Sequence, residues 1–245
     1  MWSKKQITHH KKAAKLLIKI KDLTFRHIQK NKGITEYQVQ QFILKNYKDF
    51  GLITDKFPPI VAFNESSSTP EFYPEKNSKK LKKSTFILID LWAKLKAKDA
   101  PFADITWVAF YGKRVPKRIQ RVFNIAIAAR TAALEHMETE LKKGRTPTGK
   151  DMESAAFKII KEAGHGKNIR HSLGHSIGTR QGHGPKPDWI YNKNSRRLHK
   201  NLAYTIEPGI YLKNRFGVRS EMDFFISKDD KIILTTDLQK RIILI

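Results

Sequence analysis

Cysteine is absent from the 245-residue chain, and no apolar run approaches the length of a membrane span. Without cysteine the protein can form neither a disulfide nor a thiolate metal site, so any metal must be held by oxygen and imidazole ligands. The lack of a long apolar run argues against a membrane-spanning helix. The first residues are basic but lack the apolar core of a signal peptide, and a cytoplasmic location is therefore expected.

Acidic residues are scarce: 23 aspartates and glutamates stand against 48 lysines and arginines, which gives a formal net charge of +25. Such a charge favours association with nucleic acid or an anionic surface. A lysine-rich composition without a specific partner explains it equally simply, because lysine is spread along most of the chain. The densest basic stretches are KNSKKLKK at residues 76–83 and KNSRRLHK at residues 193–200. Both explanations of the charge stay open.

The remaining composition, 40% hydrophobic and 10% aromatic, is typical of a globular protein with a substantial core. Helical spacing of apolar residues, together with caps and glycine stops, predicts four helices at about residues 8–31, 35–47, 116–143 and 148–163. Runs rich in β-branched and aromatic residues predict strands at about 60–63, 84–92, 104–110, 202–212, 217–227 and 231–235. Each half then combines helices with antiparallel strands, which indicates an α+β fold with an internal pseudo-repeat.

Three histidines, His171, His175 and His183, precede two isolated glutamates, Glu207 and Glu221. Both glutamates lie within predicted strands, and Pro208 with Gly209 is expected to break the first strand just beyond Glu207. A charged carboxylate in an apolar strand is costly unless something pairs with it. Carboxylates and an imidazole on neighbouring strands therefore predict a metal site.

A second acidic pair lies upstream, where Asp90 ends the run FILID and Asp104 opens the run DITWVAF. The spacing of this pair along the chain equals that of Glu207 and Glu221. If each pair spans an antiparallel hairpin, its two side chains can face the same side, because side chains alternate along a strand. Four carboxylates at one centre would repel one another and would need cations between them.

The five residues Asp90, Asp104, His175, Glu207 and Glu221 resemble, in their order, the metal ligands of the methionine aminopeptidase and Xaa-Pro peptidase superfamily. GHSIG at 174–178, TIEPGIY at 205–211 and GVRSE at 217–221 resemble the signatures of that superfamily. IVAFNESSSTPEFYP, FILIDLWAK and ADITW resemble its proline-specific branch, which comprises aminopeptidase P and prolidase. The resemblance runs from about residue 8 to the C-terminus.

This resemblance implies the α+β pita-bread fold, in which two pseudo-two-fold halves share a curved antiparallel sheet covered by helices. It also implies that residues 1–245 form one catalytic domain, without the separate N-terminal domain of many relatives. The implied activity is a metallopeptidase that hydrolyses an N-terminal peptide bond, with Xaa-Pro as the expected substrate. The implied cofactors are two divalent ions, manganese being expected first and cobalt, zinc or iron being alternatives.

The family pattern also implies a role for each ligand. Asp104 and Glu221 would bridge the two ions, and Asp90 would hold one of them with both oxygens. His175 and Glu207 would hold the other ion. A water molecule between the ions would attack the peptide bond.

Further roles follow from the same pattern. Glu207 would also carry the proton of the attacking water to the leaving amine. His171 and His183 are similar to the outer histidines that contact the substrate, although His183 lies slightly further beyond His175 than the family spacing. Arg219 is expected to orient Glu221.

The sequence departs from the family pattern at TPEFYP, residues 69–74. Relatives carry a histidine beside a tyrosine here, as a hydrogen-bond donor to the substrate, but this chain has Glu71 and Phe72, and no histidine occurs between residues 28 and 135. A carboxylate donates a hydrogen bond only when it is protonated, so the donor role is lost or changed. Trp92 and Trp107 also stand where many relatives have glycine and arginine.

Two functions therefore compete. The first is a metallopeptidase of reduced activity that acts on a peptide substrate. The second is a weakly active or inactive relative that serves as a basic module binding nucleic acid or the ribosome. The complete ligand set favours the enzyme and the charge favours the binding module. Weak, non-specific nucleic-acid binding and no membrane partner are expected, and the oligomeric state is left open.

Overall fold

The computed structural model of the protein describes all 245 residues. The chain forms four α-helices: α1 (Lys4–Lys30), α2 (Glu36–Asp49), α3 (Lys117–Lys142) and α4 (Gly149–Glu162). It also forms ten β-strands: β1 (Leu52–Ile53), β2 (Ile60–Phe63), β3 (Thr85–Leu95), β4 (Phe102–Tyr111), β5 (Ala203–Ile206), β6 (Gly209–Leu212), β7 (Phe216–Arg219), β8 (Met222–Ile226), β9 (Ile232–Leu234) and β10 (Ile243–Leu244). All four predicted helices are present.

Local capping sets where the helices begin. Thr35 and Gln38 form the predicted capping box of α2. A second capping box joins Ser3 to Gln6, and it starts α1 several residues earlier than the apolar pattern predicts. Each of these boxes satisfies backbone N–H groups that a helix start leaves without a partner.

The first half of the chain builds a five-stranded sheet around the antiparallel pair β3 and β4. β1 and β2 pair with successive parts of β3, and β10 pairs with β4 in the parallel direction, which differs from the all-antiparallel sheet that the sequence predicts. Alternation along β3 directs Ile87, Ile89 and Leu91 into the core under α1 and α2, and Leu88 into the other core. Asp90 shares the face of Leu88, which is turned towards the interior of the molecule.

The second half forms a three-stranded sheet, β5–β8–β9, and a two-stranded sheet, β6–β7, packed with α3 and α4. The two long strands that the sequence predicts here are each broken. The first break falls at Glu207 and Pro208, and the second falls at Ser220 and Glu221. At the first break, Pro208 has no N–H with which to bond a neighbouring strand. The N–H of Glu207, the residue before it, donates to the carbonyl of Leu173 at 2.8 Å. Both glutamates therefore sit at gaps in the sheet.

α1 is the longest helix, with 27 residues, and lysines interrupt its apolar pattern. No helix of the structure has both the length and the hydropathy that crossing a membrane requires. The cytoplasmic location inferred from the sequence stays a prediction.

Candidate active site

The hairpin β3–β4 brings the first two predicted ligands together. Asp90 pairs with Thr106 across the hairpin, and Trp92 pairs with Asp104. Asp90 and Asp104 are therefore two residues out of direct register and project from the same face, as the sequence predicts. Both side chains are buried.

The second pair of ligands comes from the two gaps in the other sheets. Glu207 lies between β5 and β6, and Glu221 lies between β7 and β8. β5 pairs with β8 and β6 pairs with β7 in one common register, so the two gaps are opposite each other. The carboxylates that interrupt the strands consequently meet at one point.

His175 completes the cluster. One ligand atom from each of Asp104, His175 and Glu221 lies within 4.8 Å of the others. The Nε2 atom of His175 is also 3.4 Å from Oε1 of Glu207 and 3.8 Å from Oδ2 of Asp104. Asp104, His175 and Glu221 are thus mutual neighbours, Glu207 adjoins them through His175, and Asp90 lies on the strand next to that of Asp104.

The segment GHSIG fixes the orientation of His175. Its Nδ1 donates to the carbonyl of Ser176 at 2.9 Å, which leaves Nε2 directed at the carboxylates. The His175 N–H donates to Thr205 Oγ1 at 3.0 Å, and the Thr205 N–H donates back to the His175 carbonyl at 2.9 Å. Gly174 is required beside them, because a Cβ there would lie 2.2 Å from the Thr205 carbonyl oxygen.

Arg219 is buried within the cluster, and its Nε lies 3.9 Å from Oε2 of Glu221, the residue that it is predicted to orient. Its guanidinium pairs directly with Asp90. It reaches Glu221 through Thr106: the Nε of Arg219 donates to Thr106 Oγ1 at 2.8 Å, and Thr106 donates to Glu221 Oε2 at 2.5 Å. The sequence analysis missed Thr106, although strand alternation from Asp104 places it on the same face.

The carboxylates in this cluster suit a divalent cation. Burial is the largest influence on all four pKa values and raises each of them, to about 8 for Glu207 and well above the usual range for Asp104 and Glu221. Two buried atoms, Oδ1 of Asp90 and Oδ1 of Asp104, have no hydrogen-bond partner. Crowded carboxylates with oxygens lacking a partner favour a bound cation, and the mixed oxygen and imidazole set fits a divalent transition metal.

Burial also lowers the pKa of His175 well below its usual value and that of His171 to about 3. The imidazole of His175 is therefore neutral at pH 7, which is the form that binds a metal.

All nine predicted site residues line one open cavity of about 310 Å³. His183 makes no hydrogen bond, and its ring lies 4.0 Å from the ring of His175 and 5.3 Å from that of Trp189. His171 differs, because its Nε2 is 2.7 Å from the Tyr211 hydroxyl and its Nδ1 donates to the Ser172 carbonyl at 2.8 Å. Of the two outer histidines, only His183 has ring nitrogens without a partner in the protein.

Glu71 lines the same cavity, is exposed, and makes no ion pair. The cavity wall also includes residues that the sequence analysis did not assign to a site: Asp55, Phe57, Ile60, Pro70, Tyr73, Ser172, Gln181, Gly182 and Trp189. Ile60, Pro70 and Tyr73 lie in the segment 60–74 that resembles the proline-specific branch, and the local sequence of the others carries no ligand or catalytic motif that identifies them. Residues in the wall are brought together only by the meeting of the two halves. The roles assigned to the nine predicted residues stay predictions.

Without a bound metal, the protein is expected to become less stable between about pH 7 and pH 9. The pKa of Glu207 is raised from 4.5 to about 8 in the folded state, so the folded protein holds a proton that the unfolded chain has released. The contribution of this proton to the free energy of unfolding is fully present below pH 4.5 and is lost as the pH rises through about 8. The ordinary pKa of histidine, near 6.5, lies below the range of pH 7 to pH 9, so the loss of stability in this range is not due to histidine. Thermal unfolding of chelator-treated protein at both pH values checks the prediction, and an unchanged or higher midpoint at pH 9 would contradict it.

An α+β fold that holds buried carboxylates and a neutral imidazole at the floor of an open cavity has the features of a metal-dependent hydrolase. The family model of metallopeptidase family M24 matches residues 8–228, and the chain belongs to that family. The family resemblance seen in the sequence is therefore confirmed.

Solved structures confirm the pita-bread fold. The chain is similar to an X-Pro aminopeptidase from Thermotoga maritima MSB8, with a TM-score of 0.86 and 28% identity over 100% of this chain and 64% of that chain. It is also similar to a prolidase from Pyrococcus furiosus, with a TM-score of 0.83 and 25% identity over 97% of this chain and 65% of that chain.

Among curated proteins, the chain is 28% identical over 233 residues to an uncharacterized peptidase of Staphylococcus aureus strain MW2. It is 30% identical over 233 residues to an uncharacterized peptidase of Staphylococcus epidermidis. Each match covers 95% of this chain and 62% of the relative. The chain thus spans less than two thirds of the length of these relatives.

Proposed function

We propose that the protein is a dinuclear metallopeptidase that hydrolyses an N-terminal peptide bond, with Xaa-Pro as the preferred sequence. The observation that carries this proposal is the convergence of four carboxylates and His175 at the floor of one open cavity. The solved structures described as X-Pro aminopeptidase and prolidase support the preference for proline.

The ligands would divide between two ions, and manganese is the metal we would test first. Asp104 and Glu221 would contact both ions, Asp90 would hold one, and His175 with Glu207 would hold the other. Divalent ions bound in this way lower the pKa of a water molecule and polarise the scissile carbonyl.

Glu207 is the group that would move the proton. Burial raises the pKa of Glu207 to about 8, which supports a role in accepting a proton. Thr205 Oγ1 donates to Glu207 Oε1 at 3.1 Å and helps to fix the carboxylate. Glu207 would take the proton of the attacking water and pass it to the nitrogen of the leaving amine.

His183 would donate a hydrogen bond to the substrate carbonyl oxygen as negative charge develops there. Its free ring nitrogens and its place in the cavity lining support this role. The Tyr211 hydroxyl accepts from Nη1 of Arg219 at 3.0 Å and donates to His171 Nε2 at 2.7 Å. We therefore assign His171 to shaping the cavity wall beside the substrate, since its ring is already bound within the protein.

The test combines metal analysis with a screen of Xaa-Pro peptides against the manganese-loaded protein. Wild-type protein should release the first residue, and Glu207→Gln should release none, because glutamine cannot accept the proton. Hydrolysis of no peptide at any metal loading would refute the peptidase function. Faster hydrolysis of peptides without proline would retain the peptidase and reject the proline preference.

A second function, nucleic-acid binding, is favoured only by the net charge of +25. Within residues 76–83, Lys76, Lys80, Lys82 and Lys83 are exposed and form no ion pair, whereas Lys79 pairs with Glu65. Free cationic side chains in one loop can contact phosphates without reading a sequence.

Binding to RNA is expected to be weak and to disappear near physiological ionic strength, about 0.15 M. Bound lysines release counterions from the nucleic acid, so the affinity should fall steeply as salt increases. Fluorescence anisotropy with a structured RNA over a salt series measures this dependence. Sub-micromolar affinity at physiological ionic strength would instead favour the binding module. Replacing Lys80, Lys82 and Lys83 by glutamine shows whether this loop makes the contact.

A further inference from the structure

Asp55 joins three separate segments at the mouth of the cavity. It lies in the loop between β1 and β2, and its side chain is half-buried. Its Oδ1 accepts hydrogen bonds from Trp92 Nε1 at 3.1 Å and from the Phe57 N–H at 3.0 Å. Its Oδ2 accepts from the Gly182 N–H at 2.9 Å. One carboxylate thus ties its own loop to the end of the β3–β4 hairpin and to the segment that carries His183.

The segment in question, residues 177–184, is a short hairpin of its own. Ile177 and His183 form an antiparallel bridge, and the Gly178 N–H donates to the Gly182 carbonyl at 2.9 Å. Its first side is held to β4, because the Phe102 N–H donates to the Gly178 carbonyl at 3.0 Å. These bonds give the hairpin its shape and anchor one side of it.

The other side of the hairpin rests on Asp55 and Trp92. A Cβ on Gly182 would lie 3.1 Å from Cδ1 of Trp92, so the backbone here packs directly on the indole ring. Asp55 holds that same ring through its Nε1 and the adjacent backbone through Gly182. Hydrogen bonds to a carboxylate are stronger than those between neutral groups. His183 follows Gly182 directly, so a shift of Gly182 moves its ring.

We infer that Asp55 is a positioning residue, which holds the hairpin 177–184 against Trp92 so that His183 faces the metal-ligand cluster. The inference rests on the proposed function in one respect: it assigns His183 a part in peptide hydrolysis. None of the five ligands contacts Asp55, so the effect of Asp55 on the reaction should be separable from metal binding.

Asp55→Asn is the informative substitution. Asparagine has one acceptor oxygen in place of the two carboxylate oxygens, so it can keep the bonds to Oδ1 or the bond to Oδ2 but not both. Its NH₂ group would then face the N–H donor whose acceptor has been lost. We expect kcat for a Xaa-Pro peptide to fall about 10- to 100-fold, the loss typical of a displaced catalytic group. Calorimetric titration with Mn²⁺ should show the same affinity as the wild type. A matched loss of Mn²⁺ affinity would overturn the inference.

A double-mutant cycle tests whether Asp55 acts through His183. In the His183→Ala background, adding Asp55→Asn should lower kcat by less than about twofold, because the group that Asp55 positions is gone. A purely structural loss would be the same in both backgrounds. If the factors by which the two substitutions lower kcat multiply in the double variant, the inference is overturned.

Amide hydrogen exchange gives a readout that does not need turnover. In Asp55→Asn, peptides covering residues 178–184 should exchange faster, whereas those covering residues 203–206 should not change. Asp230→Asn is the control, since Asp230 pairs only with Lys200 at 2.7 Å on an exposed turn outside the cavity lining. If the wild type hydrolyses no peptide, the proposed function fails, and the exchange experiment still decides the inference. Unchanged exchange of the hairpin in Asp55→Asn would overturn it.

Discussion

Glu221→Ala is expected to abolish paired metal binding and to lower peptidase kcat/KM by more than about 100-fold, since even the loss of a partner outside the ligand shell costs 10- to 100-fold. Glu221 is almost fully buried, and its ligand atom is one of three that lie within 4.8 Å of one another. Removing it takes away one of the two carboxylates that would contact both ions.

The wild type should also unfold at a higher temperature with Mn²⁺ than without it, because the folded state alone presents the assembled site. This increment should be much smaller in Glu221→Ala. Glu221→Gln is the matched control: the glutamine keeps the shape of the side chain and can accept the hydrogen bond from Thr106, but it lacks the charge. Calorimetric titration would contradict the metal site if wild-type protein bound no Mn²⁺, Co²⁺ or Zn²⁺ at millimolar concentration.

Glu71→His should raise kcat/KM for Xaa-Pro peptides by about 100- to 1000-fold, or roughly 3–4 kcal/mol, the contribution of one donor to a developing oxyanion. Glu71 lines the cavity and has no ion-pair partner that neutralises it. Its charge acts on the cavity, because after burial it is the largest influence that raises the pKa of Tyr73, to about 12. A carboxylate at this point repels a developing oxyanion, so wild-type turnover should be slow.

Steady-state kinetics of three variants separate the donor effect from the charge effect. Glu71→Ala removes the carboxylate without supplying a donor and should give a smaller gain than Glu71→His. Adding Phe72→Tyr to Glu71→His tests the neighbouring aromatic position. Metal affinity should hardly change in any of them, since Glu71 is not among the ligands. If Glu71→His and Glu71→Ala both leave turnover and its pH profile as in the wild type, Glu71 has no part in the reaction.

The sequence by itself determined the elements that depend on neighbouring residues. Caps such as Thr35 with Gln38 and the period-two pattern of β3 act within a few residues, so the four helices and the main hairpin were predictable. The five candidate ligands were named from the resemblance of their motifs to a metallopeptidase family, and the match of residues 8–228 to family M24 confirms that family, whereas their roles as ligands stay predictions. Glu207 and Glu221 were recognisable because a carboxylate in an apolar strand requires a partner.

Only the tertiary structure decided how these groups are supported. The pairing of Arg219 with Asp90, its route to Glu221 through Thr106, and the bonds of Asp55 to Trp92 and Gly182 each join residues far apart in the chain. Hydrogen bonds of this kind depend on where two surfaces meet, and no local pattern of residues encodes that meeting. The parallel strand β10 and the break at Ser220 and Glu221 are of the same origin. Short motifs thus identified the candidate ligands, and the packing of the two halves placed them around one cavity.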